Sequence, residues 1–164
     1  VVLPNSKWFE TSSDRWIDGD VTVTITKEDH ANPIYLKNGA ILPIARNEGS
    51  DHAFESHKVD FHLIMNQGEN QNSSTRYVYD DGETYDYIHK GERSVLVLDV
   101  EVKNGSMSIT LNEQESGYGE ADVRFVIYDD FKEVKVNGKI IPFKEYSFLW
   151  RADRSCAGLK IGSI

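Results

Sequence analysis

Five Asn-Gly or Asp-Gly pairs divide the chain into short apolar-rich runs: Asp18-Gly19, Asn38-Gly39, Asp81-Gly82, Asn104-Gly105 and Asn137-Gly138. Such pairs supply the positive φ angles that a two-residue hairpin loop needs at its central positions. A chain punctuated this way is expected to be all-β and antiparallel. No window of eleven or more residues carries an apolar stripe at helical spacing between capping residues, so little helix is expected. A turn or two of helix fits Lys27 to Ala31.

One hairpin can be tested by arithmetic. A two-residue Asn104-Gly105 loop sets Val102 opposite Met107, Val100 opposite Ile109 and Leu98 opposite Leu111, all apolar pairs. The intervening pairs, Glu101 with Ser108 and Asp99 with Thr110, are polar. One face is therefore buried and the other wet, as a sandwich sheet requires.

The remaining strands read as Lys7 to Glu10, Val21 to Thr26, Ile34 to Leu36, Ile41 to Ala45, Val59 to Met65 and Arg76 to Asp80. After these come Thr84 to Ile88, Ser94 to Val102, Asp122 to Tyr128, Val134 to Val136, Lys139 to Pro142 and Tyr146 to Trp150. The charged, small-residue stretch from Arg46 to Lys58 separates two apolar blocks and reads as a domain junction. Asn66 to Thr75 reads as a long exposed connection. The expected division is a partial β-domain over 1–46, a linker over 47–58 and a complete β-sandwich over 59–164.

Composition removes several function classes. Acidic residues outnumber basic ones by 27 to 18, a formal net charge of -9, which disfavours nucleic acid and anionic membrane surfaces as partners. The lone Cys156 cannot form an intrachain disulfide, so packing must hold the fold. No apolar run approaches the roughly 18 residues of a membrane span. A (β/α) barrel needs about 250 residues with alternating helices and does not fit. Nothing in the residues assigns a cellular location.

The carboxylates Asp80, Asp81, Glu83 and Asp86 cluster around one turn. A retaining glycosidase needs its acid and its nucleophile about 5 Å apart across an enclosed bond. An exposed turn provides no such enclosure, and no catalytic residue is expected. Asp80, Asp81 and Glu83 are weak calcium candidates, since their spacing lacks the alternating ligand pattern with a terminal bidentate Glu. His52, His57 and His62 recur every five residues, which sends neighbours to opposite faces of a strand and argues against a zinc site. No metal or cofactor is implied. Trp16, Tyr79 and Tyr85 are candidates to stack on sugar rings, against the commoner role of such rings in cores.

Three segments carry a family resemblance. Val2-Leu3-Pro4 with Trp8-Phe9 is similar to a Leu-Pro, turn, Trp-Tyr segment. Pro33-Ile34-Tyr35-Leu36-Lys37-Asn38-Gly39-Ala40-Ile41-Leu42-Pro43 resembles a Pro-hydrophobic-basic-Ala-Gly-hydrophobic-Pro segment. Tyr79-Asp80-Asp81-Gly82-Glu83-Thr84-Tyr85-Asp86-Tyr87, followed by Gly91-Glu92, looks like a distal sandwich motif. In this order they resemble the proximal and distal C-terminal β-sandwich region of glycoside hydrolase family 31. Two departures stand out: Thr11-Ser12-Ser13-Asp14 where the family usually has Thr-Gly-Glu, and Asn38 where a small Ala is usual.

The resemblance implies a parent enzyme that hydrolyses or transfers α-linked glucosyl or xylosyl units from a barrel outside this chain. This chain would then be a non-catalytic accessory region whose partner is that barrel, with α-glucan as a further candidate ligand and an exposed edge open to a second copy. Alternatives are a free-standing carbohydrate-binding module and a structural sandwich of an adhesive protein.

Overall fold

The structure is a computed structural model and describes residues 1–26, 33–46 and 57–141, with the strand backbone at 144–146 and 154–160. Among these residues the chain runs β1 (Val2–Leu3), β2 (Lys7–Glu10), β3 (Arg15–Asp18), β4 (Val21–Thr22), β5 (Tyr35–Lys37), β6 (Ala40–Ala45), β7 (His57–Ile64) and β8 (Gln71–Tyr79). A single helical turn, α1 (Asp86–His89), precedes β9 (Ser94–Lys103), β10 (Ser106–Ser116), β11 (Ala121–Ile127), β12 (Glu133–Val136), β13 (Lys139–Ile140), β14 (Lys144–Tyr146) and β15 (Arg154–Lys160).

Two five-stranded sheets form the sandwich, ordered β13-β12-β10-β9-β8 and β14-β15-β11-β7-β6. The β9–β10 hairpin has the expected register, Val102 with Met107, Val100 with Ile109 and Leu98 with Leu111. All six side chains are buried. They meet Val59, Phe61 and Leu63 of β7 and Val123 and Phe125 of β11 from the other sheet. Phe61 and Phe125 are direct cross-strand partners with ring centroids 6.3 Å apart. Each such large apolar side chain, fully buried, contributes about 1.5–3 kcal/mol.

The pairing is mixed where antiparallel was expected: β7 with β11 and β10 with β12 are parallel. Successive strands reverse direction, so strands separated by an even number of reversals point the same way when they become neighbours. Chain crossings between the two sheets bring those strands side by side, an arrangement that local hairpin signals do not encode.

Strand β6 lies before the stretch 47–58, yet pairs with β7 from Ala40–Ile64 to Ala45–Val59 and edges the second sheet. His57 and Lys58 are already strand residues. A smaller sheet, β3-β2-β5, covers the outer face of β6, β7 and β11. There Phe9 packs edge-on to Trp16 at 5.3 Å and to Tyr128 at 4.9 Å, with Ile64, Val126 and Leu42 in the same cluster. This third layer explains why Val59 through Ile64 are buried without alternation: β7 is covered on both faces.

Several expectations are corrected. The run Thr84 to Ile88 is not a strand: Asp81 draws the chain into a turn and the residues after it close α1. Gln71 to Thr75 is not loop but the first half of β8, because a solvent-facing edge strand accepts Asn and Ser on its wet side. Val21 to Thr26 shortens to the two residues of β4. Arg15–Asp18 and Arg154–Lys160 are additional strands. The stretches 27–31, 47–56, 142–143 and 147–150 lie outside the described residues.

Candidate functional site

The acidic turn after β8 is the segment that most resembles a site. Asp80 accepts the Gly82 N–H at 2.8 Å. One Asp81 carboxylate oxygen accepts the backbone N–H groups of Glu83 and Thr84 at 3.1 and 3.0 Å. Its other oxygen accepts the Thr84 hydroxyl at 2.7 Å. These bonds hold the Asp81 carboxyl below its ordinary pKa, the Thr84 hydroxyl contributing most. Gly82 has a φ of 68°, as this reversal demands of its residue. Lys90 pairs with Asp86 at 2.8 Å. The acids thus build the loop that carries them, which is turn chemistry of the Asx kind.

The sugar-stacking candidates occupy three different environments. Tyr79 is 4% exposed, stacks on His57 at 4.4 Å and donates its hydroxyl to the Gly119 carbonyl at 2.8 Å. Trp16 is half-buried, packs edge-on with Phe9 and has its indole nitrogen buried. Tyr85 keeps 71% of its surface exposed and is the one ring of the three standing in solvent. Tyr79 and Tyr85 do not line up across a hairpin, because the strand ends at Tyr79 and the turn swings Tyr85 outward.

Among the described residues two carboxylates are buried, and both are enclosed by donors. Glu10, 7% exposed, accepts from Arg15 at 3.0 Å, from the Tyr35 hydroxyl at 3.1 Å and from the Ser13 hydroxyl. Ser13 leads the causes that hold Glu10 below the usual glutamate pKa. Asp60 is gripped by Arg124 through two bonds of 2.8 and 2.9 Å, and by Arg46 at 2.7 Å. Glu10 is thereby stabilised as an anion, the reverse of a general acid kept protonated by desolvation.

His57 and His62 point to opposite faces of β7. The first meets the Tyr77 hydroxyl at 2.7 Å on the sandwich side, and the second meets the Tyr128 hydroxyl at 2.7 Å on the outer side. Among the described residues no group of three or more His, Cys, Asp or Glu is placed to hold a metal ion, and no helix is long and apolar enough to cross a membrane. A groove of about 480 Å³ runs over the outer face of β8, β9 and β10, lined by Asn72, Ser74, Asp99, Glu101, Ser108 and Thr110. Its two acids are exposed side chains of one strand, so the groove offers no enclosed acid pair.

Sequence reasoning missed the Asn38 network. The Asn38 side chain bonds Glu69 at 2.6 Å, the Asn66 N–H at 2.8 Å and Gln71 at 2.9 Å, tying the β5–β6 turn to the loop before β8. The unusual Asn before Gly39 was the available signal.

No protein-family model matches the chain, and no curated protein matches it. Solved structures do. A family 31 glycoside hydrolase dextranase from Flavobacterium johnsoniae, complexed with isomaltotriose, is similar over 99% of this chain and 22% of its own, at a TM-score of 0.73 and 17% identity. A family 31 α-xylosidase from Xanthomonas citri is similar over 80% of this chain and 14% of its own (TM-score 0.62, 20% identity). An α-1,4-glucan lyase from Gracilariopsis lemaneiformis is similar over 98% and 19% respectively (TM-score 0.61, 16% identity). The likeness is one of fold: this chain has the fold of a part, about a fifth in length, of these enzymes.

Proposed function

We propose that this chain is the non-catalytic C-terminal sandwich region of a family 31 α-glucosidase-like enzyme, and that it stabilises or orients the catalytic barrel of the same polypeptide. The observation that carries the reading is the fold match over 99% of the chain to only 22% of a dextranase. The chemistry agrees with it, since each buried carboxylate is committed to its own donors and the acidic turn is exposed. In this reading 1–46 ends a proximal domain, the stretch after it leads into a distal sandwich that β7 opens at His57 rather than at 59, and β6 is the arm by which the first grips the second.

The surface of the first part suits a docked role. Val21, Ile25 and Ile34 are each at least 40% exposed, an apolar content favouring burial against a neighbour. The test uses a chromogenic α-glucoside. The full-length parent should turn it over and the chain alone should not; turnover by the chain alone contradicts the proposal.

The exposed Tyr85 ring favours one second reading, a carbohydrate-binding module. Calorimetry of the chain against maltose, isomaltose and larger α-glucans separates the two. Saturable heat with any of them, abolished by Tyr85→Ala, establishes the module.

A further inference from the structure

Tyr85 and Ile88 stand three residues apart where the acidic turn enters α1, and they keep 71% and 59% of their surface exposed. No residue of α1 is buried, so this element adds nothing to the chain's own core. It is nevertheless firmly built. Asp80 and Asp81 hold the turn through four hydrogen bonds, Thr84 accepts the Asp86 N–H, and Lys90 pairs with Asp86. At its base the Gly117 N–H is bonded to the Arg93 carbonyl at 2.9 Å. A preorganised protrusion that holds two large apolar side chains in water has the character of a binding anchor, since little ordering entropy remains to be lost on contact.

The charge around it narrows the partner. Within 80–92 the carboxylates of Asp80, Asp81, Glu83, Asp86 and Glu92 face one lysine, Lys90, a formal charge of -4 with His89 neutral. An anionic lipid surface or nucleic acid would be repelled. A second copy meeting this protrusion through the same patch would set like charges against each other. The complementary surface is an apolar socket rimmed by Lys or Arg.

We infer that the Tyr85–Ile88 protrusion docks into such a basic-rimmed socket on the remainder of the parent polypeptide. This rests on the reading of the chain as one region of a larger enzyme. It adds a contact at a place separate from the exposed Val21, Ile25 and Ile34.

The experiment places the photoreactive residue p-benzoylphenylalanine at position 85 of the full-length parent, with position 140 as the control, because Ile140 is 64% exposed on a different element. Irradiation should cross-link position 85, and not 140, to a peptide of the same molecule that contains Lys or Arg. Glu83→Lys with Glu92→Lys leaves the turn bonds in place and should lower that yield roughly tenfold, as a charged rim around an apolar anchor implies. A cross-link to a second copy, capture of an α-glucan, or no cross-link overturns the inference. A parent without α-glycosidase activity overturns the family reading instead, leaving the cross-link result to stand or fall alone.

Discussion

His57 is a half-buried imidazole whose ring stacks on Tyr79 and whose Nε2 meets the Tyr77 hydroxyl at 2.7 Å. Burial disfavours its charged form and lowers its pKa from the ordinary 6.5. Above that value the ring is neutral in both folded and unfolded chains, and its contribution to stability is complete. Below it the unfolded chain takes up the proton first, so stability is lost as pH falls through the depressed folded value. The urea midpoint should therefore drop as pH falls below the ordinary 6.5, and His57→Phe, which keeps a ring against Tyr79, should flatten that slope. An unchanged slope in the variant would assign the effect elsewhere. Gly117 makes a different demand: a Cβ there would lie 2.2 Å from the Gly91 carbonyl oxygen and 2.9 Å from that of Arg93. Gly117→Ala should destabilise the chain by about 2 kcal/mol or more, read from its denaturant midpoint. Asn38, unusual as a sequence feature, is explained by the three groups it ties together.

Hairpins were legible where the turn and the pattern agreed. Asn104-Gly105 and Asn137-Gly138 both take positive φ at both residues, and around Asn104-Gly105 the alternation on either side also fixes the register. Asp81-Gly82 carries the analogous Asp-Gly signal but not the same outcome, because Asp81 captures Thr84 and turns the chain into α1. The competition between a side chain and a strand ladder for the same N–H groups is not visible in a pair of letters. Nor was the third layer. β3 is short, and its contribution depends on Trp16 meeting Phe9, which in turn meets Tyr128 over a hundred residues away. This layer supports a direct prediction: Phe9→Ala should cost about 3–5 kcal/mol and open Trp16 to acrylamide quenching, while the sandwich core signal persists. Unaltered quenching would mean that the small sheet is held by other contacts. The candidate sites were legible as residue types and not as environments; burial separated Tyr79 from Tyr85, which their shared motif could not.

At the scale of the molecule, three β layers bury one large core and one smaller one, and the acids that looked like chemistry serve as turn builders and ion-pair partners. Val21, Ile25 and Ile34 on one part and Tyr85 with Ile88 on another are exposed apolar side chains available to a neighbour. If that neighbour is the barrel of the same enzyme, both surfaces should be protected from solvent in the whole protein, and Tyr85→Ser with Ile88→Ser should shorten its half-life at elevated temperature without changing kcat at lower temperature. A matching loss of kcat would instead place this loop at the reacting centre. The most direct measurement is a calorimetric titration of the isolated chain into the parent enzyme lacking this region. Saturable one-to-one binding, with turnover residing wholly in the other component, is the predicted result; no heat of association, or turnover carried by this chain, would contradict the account.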